Sequence, residues 1–315
     1  MAKSRAKAPA AAENCPARRY GGSVPLAQSL SLAVFVSLLL FNVVCAATAS
    51  DEEQRLKGLT IKQLSDIVSD KTKDNTTRWY ATSELARRKE PSSKPLLITL
   101  LDDGDGDVRG AAAWGLCQIG GKDAQDALLA FLRTSLESGN WGDLPRATEA
   151  QKELPDKRAL DLLIQCLNVT TKKGWTPDFK GYAAEALGKI GDSKASLALA
   201  QQLDMSIDYS MSIDCLYLAA IRETKGKEAT PILIDYLDRL VAKMVGEDLQ
   251  KYRVFCGREA RQVLYDFEVF ALTVSTLESV TRRTSSQGSR EEVAHDWKEW
   301  WKKRTSEQGD EGNAP

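Results

Sequence analysis

The sequence predicts an all-α protein, an α-solenoid of about five to six stacked helical hairpins. Self-similarity is the first reason: residues 107–132 and 178–203 align without a gap at an offset of 71 residues, which is two repeat periods. Similar units occur at 76–101, 146–167 and 212–237. Regular spacing is the second reason, because the leucines that close the five units lie 31, 35, 36 and 34 residues apart: Leu101, Leu132, Leu167, Leu203 and Leu237. A single hairpin cannot bury its apolar face, so such units must stack.

The first 49 residues have the three parts of a secretory signal. Residues 1–19 contain five basic side chains and one acidic one, an apolar core follows at 30–44, and small residues lead to Ala49. We expect cleavage after Ala49, with an uncleaved signal anchor or a lipoprotein cysteine at Cys45 as alternatives. The protein is therefore predicted to be exported to the periplasm or beyond the cell of a bacterium. With an uncleaved anchor, the repeats would still lie outside the cytoplasm.

Pattern changes along the chain predict the remaining boundaries. The predicted segments are an N-terminal capping helix within 50–73, the repeat array at 74–267, C-terminal capping helices at 268–304, and a disordered tail at 305–315. Thr60 and Gln63 have the spacing of a capping box at the start of the first helix. A capping box at this position would determine where the N-terminal capping helix begins.

Each repeat unit is predicted to form two helices joined by a short turn. In the unit at 178–203, four apolar residues have the i, i+3, i+4, i+7 spacing of one helical face: Ala183, Ala186, Leu187 and Ile190. Gly191 and Asp192 end this pattern. Asp192 is the candidate cap of a second helix, which contains Leu197, Leu199 and Leu203. Asp107 and Asp178 are candidate N-caps of the first helices in their units.

The run KGYAAEALGKIGD at 180–192 resembles the short HEAT-like repeat of the phycobilisome-lyase type. The resemblance extends over about residues 75–265. It implies that the α-solenoid is right-handed and that its usual role is protein interaction. Bilin-lyase activity belongs to some relatives, but the resemblance concerns the repeat and no active-site residue.

Three tryptophans near the C-terminus are predicted to lie on one helical face. Trp297, Trp300 and Trp301 have the i, i+3, i+4 spacing. The pairing of a short helix with this W-x-x-W-W pattern resembles the C-terminal unit of exported bacterial HEAT-repeat proteins. We predict that the rings seal the last repeat, and an exposed site for a sugar or a peptide is the alternative.

Composition excludes several classes of chemistry. The chain has 43 Lys and Arg against 44 Asp and Glu, and removal of residues 1–49 would leave 38 against 43, a net charge of −5. Such a balance does not favour nucleic acid. The single histidine, His295, cannot supply the several imidazoles of a zinc or di-iron site. Nucleophile-elbow, P-loop and H-E-x-x-H motifs do not occur in the sequence. We therefore predict no catalytic residue, no metal and no cofactor.

Two sets of polar residues have candidate structural roles. The aligned basic residues Arg78, Arg109 and Lys180 form a series along successive first helices, which we call the basic series. We predict that they pair with acidic groups of neighbouring units, and a phosphate-binding stripe is the alternative. Four cysteines follow the predicted cleavage point: Cys117, Cys166, Cys215 and Cys256. Buried thiols are the expected state, with a bridge between Cys215 and Cys256 as the alternative.

Two tryptophan-containing loops are the candidate binding site. Trp141 and Trp175 lie in the two longest intervals, each beside Gly and Pro and just before a first helix. Each ring either packs onto the helix that follows it, as a hydrophobic staple, or anchors a partner. Insertions in solenoids collect on one face, often the binding face.

The predicted function is a non-catalytic protein-interaction scaffold or adaptor. We expect an unidentified protein partner in the groove lined by second helices and at the Trp141 and Trp175 loop edge. We expect a monomer, no nucleic acid, and membrane contact only through an uncleaved anchor. The alternatives are a bilin-lyase-like or chaperone-like maturation factor for a cofactor protein, and a cell-wall or glycan-binding module.

Overall fold

A computed structural model of the chain describes residues 54–169, 178–203, 213–244 and 258–311, with backbone alone at 258–267 and 307–311. Ala49, Trp175 and Cys256 lie outside the described residues, as does the predicted signal segment. From Leu56 onward the chain is one compact unit. Its described helices are α1 Ile61–Ser69, α2 Asn75–Arg88, α3 Lys94–Leu100, α4 Gly106–Ile119, α5 Lys122–Glu137, α6 Leu144–Glu153, α7 Leu160–Asn168, α8 Asp178–Ile190, α9 Lys194–Ala200, α10 Ile213–Thr224, α11 Thr230–Lys243, α12 Arg258–Thr281 and α13 Arg290–Glu311.

The helices form two layers of stacked hairpins, which confirms the α-solenoid prediction. The first helices α2, α4, α6, α8 and α10 pack side by side, and α12 continues this layer against α10. In the second layer, α3 packs on α5, α5 on α7 and α7 on α9. At the ends, α1 covers α2, while α13 packs against α11. None of the described helices is long and apolar enough to cross a membrane.

Small residues bring the first helices close together. A Cβ atom added at Gly115 in α4 would lie 2.7 Å from the Cβ of Ala86 in α2. A Cβ at Gly188 in α8 would lie 3.2 Å from the Cα of Ala220 in α10. Because neither helix pair has room for larger residues at these crossings, the alanine- and glycine-rich pattern of the first helices determines the spacing of this layer.

The repeat period derived from the sequence matches the buried core. All five leucines that close the units are buried: Leu101, Leu132, Leu167, Leu203 and Leu237. In α8, Ala183, Ala186 and Leu187 are also buried, as their helical spacing predicts. Leu197 in α9 is an exception, since it is exposed on the surface.

Helix caps confirm one of the sequence predictions and correct two others. Thr60 Oγ1 accepts a hydrogen bond from the Gln63 N–H, and Gln63 Oε1 accepts one from the Thr60 N–H, so the capping box is present. Asp192 is not the N-cap of α9, which is Ser193, although its carboxylate accepts a hydrogen bond from the Lys194 N–H at the start of the helix. Asp107 is not the N-cap of α4. Asp105 caps this helix by accepting from the Asp107 and Val108 N–H groups, because α4 begins at Gly106, two residues before the start that an Asp107 cap would give.

The last two helices are longer than the sequence pattern indicated. Helix α12 begins inside the predicted repeat array, and α13 continues to Glu311 within the segment predicted to be a disordered tail. Trp297 is fully buried, and its Nε1–H donates to Ser285 Oγ at 3.0 Å. Trp300 is partly buried, with its ring 5.5 Å from that of Trp297. The Arg283 guanidinium lies 4.6 Å from the Trp297 ring centroid, so α13 is held by both apolar and cation–π contacts.

Candidate functional site

The basic series forms buried ion pairs between neighbouring units. Arg78 in α2 donates from both terminal guanidinium nitrogens to the carboxylate of Asp103, which lies just before α4, and its Nε–H donates to the Val68 carbonyl at 3.0 Å. Lys71 bonds the same carboxylate. Burial opposes ionisation of Asp103, but the hydrogen bonds from Arg78 and Lys71 prevail and hold its pKa well below its usual range.

Arg109 repeats this arrangement one unit later. Its Nε–H and one terminal N–H donate to the two carboxylate oxygens of Asp143, at 2.8 and 2.9 Å, and its other terminal nitrogen donates to the Asp103 carbonyl. Among the described residues no ion pair is formed by Lys180, whose pKa is lowered by burial. The predicted pairing is therefore confirmed for Arg78 and Arg109, and these two guanidinium groups are occupied within the fold.

A cavity of about 400 Å³ lies between α3, α5 and the loop before α6, on part of the second-helix surface where a binding groove is predicted. We call it the second-helix groove. Phe131, Thr134, Asp102 and Asp143 are among its lining residues, but Trp141 is not. Phe131 is largely buried and Asp143 is paired with Arg109, so this groove offers a partner few free anchoring groups.

Trp141 is more than half exposed, and its ring contact differs from the predicted staple. The ring stacks on Phe179, with centroids 6.2 Å apart and planes inclined by 27°. Phe179 belongs to α8, the first helix of the next unit, and not to α6, which follows Trp141. Trp141 therefore bridges two units and leaves 52% of its surface exposed. The predicted neighbour, Trp175, lies outside the described residues.

A second cavity, of about 380 Å³, crosses the outer surface of α2, α4 and α6. We call it the first-helix groove and define it by Trp79, Asp107, Gly110, Ala111, Trp114, Cys117, Arg146, Glu149, Ala150 and Glu153. Trp79 is 36% exposed and Trp114 is 44% exposed, and they belong to neighbouring first helices. Exposed rings of this size that line a shared cavity are the usual anchors of protein interfaces.

Three carboxylates and one guanidinium line the first-helix groove. Arg146 is occupied, because its terminal nitrogens bond Asp107 at 2.5 Å and the Gly142 carbonyl at 2.6 Å. Glu149 and Glu153 are exposed on successive turns of α6. The groove therefore has an excess of negative charge among its described residues.

The charges of these glutamates help to raise the pKa of two neighbouring groups, the Cys117 thiol and the Tyr182 hydroxyl. Burial, reinforced by Glu153 and Glu149, raises the pKa of the Cys117 thiol to about 12. Lys152 lies at the edge of the groove, 4.7 Å from the centre of the Tyr182 ring and 3.6 Å from Glu153. Burial and the charge of Glu149 also raise the pKa of Tyr182. The groove thus has a negative potential and contains no ionised thiol at neutral pH.

The sequence pattern did not reveal the first-helix groove because its tryptophans occupy different repeat positions. With the buried leucines Leu85 and Leu116 aligned, Trp79 corresponds to Gly110 and Trp114 corresponds to Ser83. A search for repeated residues therefore finds no tryptophan series. The sequence signal that could have indicated this groove is a large aromatic side chain outside the apolar stripe of its helix, in α2 and again in α4.

The structure defines a helical-hairpin repeat protein, and residues 61–140 match the family described as HEAT repeats. This match extends over α1 and the first two hairpins, α2–α3 and α4–α5. No match was found among curated proteins.

Several solved structures are similar at low sequence identity. An engineered protein is 17% identical, with 70% of this chain and 96% of that chain covered and a TM-score of 0.44. The complex of CpcE and CpcF of phycocyanin lyase from Nostoc sp. PCC7120 is 20% identical, with 76% of this chain and 93% of that chain covered and a TM-score of 0.42. A designed armadillo repeat protein is 17% identical, with 70% of this chain and 100% of that chain covered and a TM-score of 0.41.

Proposed function

We propose that this chain is an exported, non-catalytic protein-interaction scaffold that binds a protein partner in the first-helix groove. The observation that carries the proposal is the pair of exposed rings, Trp79 and Trp114, on neighbouring first helices of one groove. Exposed aromatic clusters beside polar groups mark interaction sites in soluble proteins. A HEAT-repeat array supplies a long, rigid surface of this kind.

The groove is better suited to binding than to covalent chemistry. Its one nucleophilic side chain, Cys117, has a raised pKa and remains a thiol, whereas nucleophilic cysteines need a lowered pKa. Asp103 and Asp143 lie in the second-helix groove, where both are held by arginines. The export part of the proposal depends on the signal-like pattern of residues 1–49.

Site-specific photocrosslinking in the native host tests the proposed site. A photoreactive benzoyl-phenylalanine at Trp114 should capture a protein partner outside the cytoplasm, whereas the same residue at the exposed Leu197 of α9 should not. Adding Trp79→Ala to the protein with the probe at position 114 should abolish the adduct if the Trp79 ring anchors the partner. Equal capture at position 197, or a partner retained without Trp79, would place the interaction elsewhere. Fractionation of the cells reports on export separately.

A further inference from the structure

The chemistry of the first-helix groove indicates which kind of partner segment it takes. We propose that, within the proposed scaffold function, the groove binds a lysine or arginine side chain of an extended basic segment of the partner. Two aromatic rings and two carboxylates, from Trp79, Trp114, Glu149 and Glu153, line the same cavity. Aromatic faces attract cations, and carboxylates supply the matching charge.

The cations already near the groove leave Glu149 without an ion pair among the described residues. Arg146 is bonded to Asp107 and to a backbone carbonyl, and Lys152 is positioned over the Tyr182 ring. Lys152 forms an ion pair with Glu153 at 3.6 Å, whereas Glu149 forms none within the part of the chain that the structure describes. The groove therefore has charge complementarity to a basic ligand and not to an acidic one.

The position of the two glutamates adds a second argument. Glu149 and Glu153 are four residues apart on α6, so their carboxylates are neighbours on one helical face. Like charges at this spacing destabilise a helix. A bound cation would relieve the repulsion, which makes a basic side chain favourable at this place beyond its contact with the rings.

The dimensions of the groove favour a side chain on an extended segment over a folded element. Its volume of about 380 Å³ is at the low end of the range for ligand sites, and it is open to the surface between helices. A few side chains fill such a space. A helix or strand of a partner would instead need a longer apolar channel.

Selection from a random linear peptide library, displayed on phage and panned on the full chain, tests the proposal. We expect selected peptides to be enriched in Lys or Arg at one or two positions. Their affinity, measured by fluorescence anisotropy of the labelled synthetic peptide, should fall about tenfold in the Glu149→Gln/Glu153→Gln variant. Replacement of the basic residue by norleucine should weaken binding to a similar extent, and added salt should reduce the affinity.

The matched control is Glu137→Gln/Asp161→Asn, which removes two exposed carboxylates from the second helices α5 and α7 and should leave the affinity unchanged. Selected peptides that need Trp79 and Trp114 but carry no basic enrichment would overturn this inference and leave the scaffold function standing. Peptides that bind the Trp79→Ala/Trp114→Ala variant as well as the wild type would overturn both. If the library yields no binder, the proposal that the groove binds an extended basic segment is refuted. Circular dichroism verifies that each variant is folded.

Discussion

Gln151 provides a direct test of the repeat alignment. It lies in α6 at the position that Leu116 occupies in α4 and Leu187 occupies in α8, and all three side chains are fully buried. Neither amide atom of Gln151 has a hydrogen-bond partner in the structure. A buried amide without a partner costs about 1–3 kcal/mol of folding free energy. Gln151→Leu should therefore stabilise the protein.

The expected gain is about 1–3 kcal/mol in the free energy of unfolding, because the substitution removes an unpaired amide and adds apolar contacts. Each kcal/mol corresponds to a rise of about 2–4 °C in Tm for a protein of this size. Gln151→Met is the matched variant, since methionine is unbranched like glutamine and tests whether branching of leucine strains the site. The reverse change, Leu116→Gln, should cost roughly 3–5 kcal/mol, since it loses apolar burial and introduces the unpaired amide.

Urea unfolding followed by circular dichroism measures these differences. A shift of the midpoint at constant m-value indicates a change in stability rather than in the unfolded state. The reasoning is refuted if Gln151→Leu and Gln151→Met are both less stable than the wild type, because the amide would then be making a favourable interaction. It is also refuted if Leu116→Gln has no cost.

Three further predictions concern the packing and charge of the fold. Asp103→Asn should destabilise the protein by about 3–5 kcal/mol at neutral pH. Because the folded pKa of Asp103 is lowered, its contribution is complete above about pH 5 and is lost as the pH falls. Acid titration should therefore destabilise the wild type more steeply than the variant, and parallel curves would contradict this account. Gly115→Ala should lower Tm despite the better helix propensity of alanine, because the added Cβ would collide with Ala86. An unchanged or raised Tm would show that α2 and α4 can move apart without cost. Iodoacetamide at pH 8 should leave Cys117 and Cys166 unmodified until denaturant is added, because burial raises the pKa of both thiols to about 12. Alkylation of either cysteine in the native protein, detected by mass spectrometry, would contradict this.

The repeat period was predictable because it is a one-dimensional property of the chain. The unit-closing leucines, such as Leu132 and Leu167, are buried in every unit, so their spacing alone gives the phase. Cap choice was less predictable before α4, since Asp105 and Asp107 lie close together and only backbone geometry selects between them. The sequence pattern also did not indicate that Arg109 and Asp143, which line the second-helix groove, are already paired with each other.

Surface features were the least predictable because they depend on neighbours from other units. Trp141 stacks on Phe179, which is 38 residues further along the chain, so no local pattern identifies the partner. Trp79 and Trp114 become one site only when α2, α4 and α6 are packed together. Exposure and convergence of side chains are properties of the assembled layers, and a repeat alignment averages over the residues that differ between units.

The buried ion pairs also determine how the array opens. In a repeat array the cooperativity of unfolding depends on the coupling between adjacent units. Asp103 binds Arg78 through its side chain and Arg109 through its carbonyl, and Arg109 in turn binds Asp143. Opening any of the first three units therefore leaves a buried charge unpaired in a neighbour. Hydrogen exchange should thus show the amides of α2, α4 and α6 exchanging as one unit.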